Sequence, residues 1–243
     1  LAAFAQDIVL LQAVGIHPVV VHGGGPQIGE VLAKVGKVSE FKDGQRVTDA
    51  ETLDVVRMVL IGKVNSDIVA ALNVHGPVAV GLSGVDANLI VADVRAGDLG
   101  FVGDVIDVNP NIIERLVAED IIPVVATVGS DVDGQAYNIN ADAVAGAIAA
   151  ALHAEKLIFL TDVQGLRANP DDPNSVMAQV SVAMIDDMVA SGAASGGMIP
   201  KVEACAAAVR GGVTRAHILD GRVAHALLVE LFTDGGVGTM VLA

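Results

Sequence analysis

Short β-branched runs alternate with longer stretches of helical periodicity along nearly the whole chain. VVVHGGG runs into PQIGEVLAKVG, and the long apolar-spaced stretch DAETLDVVRMVLIGKVNSDIVAALNVHG runs into PVAVGLSG. NIIERLVAEDI precedes IPVVATVG, and ADAVAGAIAAALHA precedes KLIFLTDV. SVAMIDDMVASG and KVEACAAAVRGG then read as helices, RAHILDG as a strand and VAHALLVELF as a helix. Strands that are continuous Val, Ile and Leu are apolar on both faces, so both faces must be covered. The pattern predicts an α/β fold with an open, mostly parallel central sheet sandwiched by helices. ANLIVADVRAGDLGFVGDVIDV interrupts the alternation and reads as a hairpin turning at Ala96-Gly97-Asp98. The end of the Ala-rich helix near His153-Ala154 is the best boundary between two lobes, 1–153 and 154–243.

Within this frame the stretch VVVHGGGPQI, Val19 to Ile28, needs a reason. Three consecutive glycines lose much backbone freedom on folding, and Pro26 suits the first turn of a helix. In open α/β sheets, ligands bind beyond the carboxyl ends of the strands. A glycine turn there lets N–H groups approach an anion, and the helix N-terminus adds about half a positive charge. A tight turn with no ligand explains one such run equally well. No Lys-Ser or Lys-Thr follows, so this is not a Walker loop.

Other polar residues gather at strand ends. Asp162 and Gly165 follow the apolar run KLIFLT. Asn138, Asn140 and Asp142 precede a helix, where capping accounts for one of the three. Lys201 falls in the first turns of the helix after ASGG, a place that disfavours a cation unless a polyphosphate lies near.

Charge narrows the ligand classes. Fourteen Lys and Arg against 29 Asp and Glu give a net charge of −15, which argues against nucleic acid or an anionic membrane as partner. An anionic ligand must then be held by local groups: amides, a few placed cations and a metal ion. At 2% aromatics there is no platform for stacking bases. No apolar run reaches the roughly 18 residues that span a bilayer, and LAAFAQDIVLLQAVG has no basic region that would make it a signal peptide. Cys205 is the sole cysteine, which rules out an intrachain disulfide and fits a reducing cytoplasm.

HPVVVHGGGPQI, RVTDAETLDVVRMVLIGKVN, YNINADAVAGAIAAAL, LTDVQGL, SGGMIPKVEA and HILDGRVAHALLVELFTDGGVGTM together resemble the acetylglutamate kinases of the amino-acid kinase family, in collinear order over nearly the whole chain. The resemblance implies transfer of the γ-phosphoryl of ATP to the side-chain carboxylate of N-acetyl-L-glutamate, the second step of arginine synthesis. A glutamate-type carboxylate, with a pKa of about 4.3, is already ionised at neutral pH and needs no general base. Catalysis then reduces to aligning two anions and neutralising their repulsion.

By resemblance, Gly24 and Gly25 offer backbone N–H groups to the substrate and the phosphoryl in flight, and Arg46 clamps a substrate carboxylate. Asn138 binds the amino-acid end with Asn140 nearby. Asp142 orients the catalytic cations, and Lys201 stabilises the transferring phosphoryl. Asp162, Val163, Gln164, Gly165, Leu166 and Arg167 form the nucleotide loop; Ala193, Ala194, Ser195, Gly197 and Met198 form the other wall. Mg²⁺ accompanies ATP, held mainly by phosphates and water. The ending HALLVELFTDGGVGT is similar to that of family members inhibited by L-arginine, with His225, Glu230, Gly236 and Gly238 around the inhibitor. Such enzymes are homo-oligomers, dimers assembled into hexamers.

Family members carry, ahead of the helix that LAAFAQDIVLL matches, a further helix and a strand ending in a Lys-x-Gly-Gly loop. Without that segment, the 243 residues are expected to show little kinase activity, and restoring it should recover turnover. Three other readings stand beside this one. They are a relative acting on another carboxylate, on carbamate or on a nucleoside monophosphate; a non-catalytic arginine-binding or assembly fragment; and, more remotely, a dinucleotide-binding dehydrogenase, whose glycine spacing HGGGP lacks.

Overall fold

The computed structural model describes residues 1–42, 44–169, 172, 175–192, 198–233 and 236–243. The chain divides into two compact units, Leu1–Val144 and Ala145–Ala243. The division falls within the Ala-rich helix Ala141–Ala151.

The first unit begins with α1 (Ala2–Ala13), β1 (Val20–His22) and α2 (Gly25–Lys34). A two-stranded hairpin follows, β2 (Phe41–Lys42) with β3 (Gln45–Arg46). The long helical pattern resolves into α3 (Ala50–Arg57), a π-helical segment (Met58–Asn65) and α4 (Ser66–Asn73). Asp49 caps α3, its side chain accepting from Thr52 N–H at 2.8 Å. The apolar spacing in this stretch is helical throughout, so the widened turn between α3 and α4 is invisible to periodicity. Beyond it lie β4 (Ala79–Ser83), β5 (Ile90–Val94), β6 (Val102–Val108), α5 (Asn111–Ala118), β7 (Ile122–Ala126), β8 (Val128–Ser130), β9 (Ala136–Ile139) and the start of α6 (Ala141–Ala151).

Strands β1, β7 and β4 form a parallel sheet in that order, with β7 in the middle and buried at every residue. That is why IPVVA is apolar without alternation. β5 and β6 form the expected hairpin, with Gly97 (φ 114°) and Asp98 (φ 55°) taking the turn. With β8 and β9 they close into a small barrel. The core of this unit packs Ile28 and Leu32 of α2 against Leu53 and Val56 of α3, Val59 and Leu60 of the π-helical segment, and Ala126 and Val128.

The second unit contains β10 (Lys156–Thr161), β11 (Gln179–Ser181), α7 (Val182–Ala190), α8 (Met198–Arg210), β12 (Arg215–Asp220), α9 (Ala226–Phe232) and β13 (Thr239–Leu242). Its sheet runs β10-β12-β13-β11, parallel except where β13 meets β12. Leu157 and Phe159, Val180, Ile185, Val202, Cys205, Ile218 and Val241 fill its core, and Met188 and Met198 pack against it. Ser181 caps α7 through Met184 N–H. The fold is the expected one: mostly parallel sheets flanked by helices.

Candidate functional site

β1 ends at His22, and the chain turns through Gly23 and Gly24 into α2. The glycines there are required by space rather than by φ. A Cβ on Gly24 would lie 2.7 Å from Leu60 Cδ2, and one on Gly23 would lie 3.2 Å from the Ala141 Cβ. Gly24 is the N-cap of α2, and its carbonyl accepts from Ile28. Pro26 in the first turn has no N–H, so the N–H groups left without an intrahelical acceptor there are those of Gly24, Gly25 and Gln27.

Arg46, at the end of β3, is joined to this turn. Its Nη2 donates to the Gly25 carbonyl at 2.9 Å, and its Nη1 donates to the Ser39 hydroxyl. The guanidinium also lies over the Phe41 ring, 4.7 Å from its centroid. The residue is 8% exposed, and burial lowers the guanidinium pKa from its ordinary value. Every one of these partners is neutral, and among the described residues no carboxylate pairs with Arg46. A buried cation without a counter-ion is costly.

Backbone pairing brings Asn138 to the same place from 92 residues further along the chain. Thr48 N–H donates to the Leu99 carbonyl, Phe101 N–H to the Thr48 carbonyl, and Asn138 N–H to the Phe101 carbonyl. The Thr48 hydroxyl, fully buried, donates to the Arg46 carbonyl at 2.9 Å and accepts from Asn138 Nδ2 at 3.2 Å. Asn140 is the capping residue of the YNINAD trio: its Oδ1 accepts from Asp142 N–H (2.9 Å) and Ala143 N–H (3.1 Å). Asp142 stands in the first turn of α6. Gly24, Gly25, Arg46 and Asn138 are thus tied together by hydrogen bonds and packing within one unit. Thr48 and Ser39, which hold that arrangement, carried no sequence signal.

In the second unit, Asp162, Val163, Gln164, Gly165, Leu166 and Arg167 follow the carboxyl end of β10. Thr161 Oγ1 accepts from Val163 N–H at 3.1 Å, and Leu166 N–H donates to Thr239 Oγ1 at 2.8 Å, which fixes the loop at both ends. Gly165 has φ 148°, and a Cβ there would lie 2.6 Å from Thr239 Oγ1. A cleft of about 260 Å³ opens beside this loop, lined by Gln164, Val176, Asp220, Val223, Val237 and Gly238. It sits at the carboxyl ends of the parallel pair β10 and β12. Met198 and Lys201 lie in the first turns of α8. Ala193, Ala194, Ser195 and Gly197 lie outside the described residues.

The C-terminal group has its own geometry. Glu230 on α9 accepts through Oε1 from His217 Nδ1 at 2.6 Å and through Oε2 from Val237 N–H at 2.6 Å. Burial lowers the His217 pKa below its ordinary 6.5, against the opposing pull of Glu230, so the imidazole donates Nδ1–H in its neutral form. Gly236 (φ 47°) and Gly238 (φ 99°) take left-handed backbone, and a Cβ on Gly236 would sit 3.0 Å from Glu230 Oε2. His225 is the N-cap residue of α9, at φ 58°. Gly236, Val237 and His217 therefore gather around the Glu230 carboxylate while Gly238 packs against Ile218, and His217 was missed because a His inside an apolar strand reads as core. Among the described residues no group of three or more His, Cys, Asp or Glu could hold a metal ion. No helix among them is long and apolar enough to cross a membrane.

Comparison with known proteins bears on the family of the chain. Residues 1–220 match the family model described as the amino acid kinase family. The acetylglutamate kinase of Moorella thermoacetica is 50% identical over 251 aligned residues, covering 99% of this chain and 85% of that protein. Among solved structures, the N-acetylglutamate synthase of Neisseria gonorrhoeae, complexed with coenzyme A and N-acetyl-glutamate, superposes with a TM-score of 0.87 at 27% identity. All of this chain is covered, but it spans only 55% of the synthase. Carbamate kinase from Giardia lamblia (TM-score 0.70, 16% identity, 99% of this chain and 89% of that one) shares the fold. Matching the family model over most of its length, and half identical to a curated acetylglutamate kinase across nearly all of it, the chain belongs to the amino acid kinase family, among the acetylglutamate kinases.

Proposed function

We propose that the chain catalyses transfer of the γ-phosphoryl of ATP to the side-chain carboxylate of N-acetyl-L-glutamate, by direct in-line attack, in arginine biosynthesis. The observation that carries this reading is Arg46: 8% exposed, held by Ser39, Gly25 and Phe41, and without a carboxylate partner among the described residues. A carboxylate ligand supplies the counter-ion, in the bidentate manner a guanidinium favours. Asn138 beside it binds the amino-acid end of the substrate, with Asn140 and Asp142 completing the entrance to α6. The amides of Gly24 and Gly25 receive negative charge that develops on the reacting groups.

Residues 1–153 would bind acetylglutamate and make subunit contacts; 154–243 would bind ATP, with Asp162 to Arg167 and Met198 at the nucleotide. Lys201 stabilises the transferring phosphoryl, and Asp142 orients the catalytic cations. Mg²⁺ is carried by the ATP phosphates and water, where it neutralises charge on the transferring group. Glu230, with His225, Gly236 and Gly238, forms the site for L-arginine as feedback inhibitor in a homo-oligomer that reaches a hexamer. The lone cysteine supports a cytoplasmic setting.

The test is acceptor preference at fixed ATP and Mg²⁺. The enzyme should phosphorylate N-acetyl-L-glutamate in preference to aspartate, carbamate and uridine monophosphate. Preference for any of those three would replace the acceptor named here. No transfer to any acceptor, with arginine still raising the melting temperature, would leave an arginine-binding fragment instead.

A further inference from the structure

His22 is 9% exposed, and both of its ring nitrogens are engaged. Nδ1 lies 3.0 Å from the Gly23 carbonyl, and Nε2 lies 3.0 Å from Nδ2 of Asn65. Neighbouring bonds fix the roles of these atoms. Asn65 Nδ2 also faces the carbonyls of Val124 (2.8 Å) and Leu82 (3.4 Å), and only an N–H donor satisfies a carbonyl. Nε2 of His22 therefore accepts, and the ring proton sits on Nδ1, donated to Gly23. Burial lowers the His22 pKa from 6.5, in keeping with a neutral ring.

Asn65 is itself 5% exposed and closes the π-helical segment. Gly81 on β4 makes room for it, since a Cβ there would overlap Asn65 Oδ1. The same segment brings Leu60 against Gly24. Widened π turns recur at functional sites; here one such turn both closes on the glycine turn and delivers an amide to its histidine. The peptide unit is planar and trans, so a carbonyl held in place sets the direction of the N–H across the same bond. Across the Gly23 carbonyl, that N–H belongs to Gly24.

We propose that His22, anchored by Asn65, is a positioning residue that aims the Gly24 N–H at the anion bound in the glycine turn. This rests on the reading of Gly24 as a contact to substrate or phosphoryl. His22 touches neither: its Nδ1 proton is committed to Gly23 and its Nε2 lone pair to Asn65, so it transfers no proton.

Two substitutions separate aiming from mere packing. His22→Asn places an amide donor where Nδ1 was and keeps the bond to Gly23. His22→Gln reaches toward Asn65 and abandons Gly23. In the full-length enzyme, kcat for acetylglutamate should fall about 10- to 100-fold in H22Q, with the KM for ATP unchanged. H22N should recover to within about threefold of the parent. Melting temperatures of the two variants should be similar. In ¹⁵N-histidine-labelled protein, Nδ1 should be protonated and Nε2 bare at neutral pH.

Equal loss of kcat in both variants, or a loss that tracks melting temperature, would overturn the proposal, as would a protonated Nε2. If the parent enzyme turns over a different acceptor, the functional reading falls. The H22Q and H22N comparison on that acceptor still decides whether His22 aims Gly24.

Discussion

The Arg46 guanidinium donates to the Gly25 carbonyl at 2.9 Å, so a buried cation is fastened to the glycine turn itself. This geometry has a thermodynamic consequence in the absence of ligand. Replacing a buried charge that lacks a counter-ion by an apolar side chain removes a desolvation cost. Arg46→Leu is therefore expected to melt at or above the parent temperature, with a gain of up to about 2 kcal/mol. Chemical denaturation of the ligand-free protein measures this. A large loss would mean that the cation is a structural element rather than one waiting for an anion.

The link between Arg46 and Asn138 passes through Thr48, and Thr48 depends on Gly100. Gly100 has φ +71°, and a Cβ there would run into the Thr48 carbonyl. Gly134 has a similar φ of +87° but open space around it. Gly134→Ala should cost only the left-handed backbone strain, about 1–2 kcal/mol. Gly100→Ala should cost about 3 kcal/mol or more, because backbone cannot move aside as a side-chain tip can. Paired urea melts check the difference, and equal costs would dissolve the Thr48 ladder as the positioning device.

His22 and His217 are both held with lowered pKa values, in each case chiefly by burial. The unfolded chain then binds more protons than the folded one between the depressed folded values and about 6.5. Stability contributed by these residues is complete above that range and is lost as pH falls through it. Melting temperature should decline on acidification from pH 7.5 to 5.5, and the slope should shrink in a His22→Asn, His217→Asn double variant. An unchanged slope would show that neither ring is held neutral.

Glu230 is tied by His217 and by Val237 N–H, a preorganised carboxylate at 10% side-chain exposure. If it receives the cationic end of arginine, arginine should raise the melting temperature of the parent protein in proportion to the logarithm of its concentration. Glu230→Gln should weaken that response by at least about tenfold in arginine concentration. A shift that survives the substitution would move the inhibitor elsewhere.

Continuous apolar strands and the glycine turn made the fold and one edge of the site legible in the sequence. Burial on both faces leaves a period-free run such as IPVVA, and a turn crowded at Gly23 and Gly24 leaves two of the three glycines of HGGG. The rest was written in relationships that local pattern does not encode. Strand β9 hides in YNIN because its alternation is short and ends in a cap. The π-helical segment keeps helical apolar spacing while shifting Asn65 under His22. Thr48 looks like an ordinary polar residue before a helix, and its role exists only because Gly100 and Phe101 come alongside it.

Calorimetric titration of N-acetyl-L-glutamate into the parent enzyme and into Arg46→Leu weighs the account most directly. A carboxylate that completes a buried, uncompensated guanidinium should bind the parent at least about 30-fold more tightly than the variant, the span of a charged hydrogen-bonded contact. Affinities within about twofold of each other, a difference below about 0.5 kcal/mol, would contradict it.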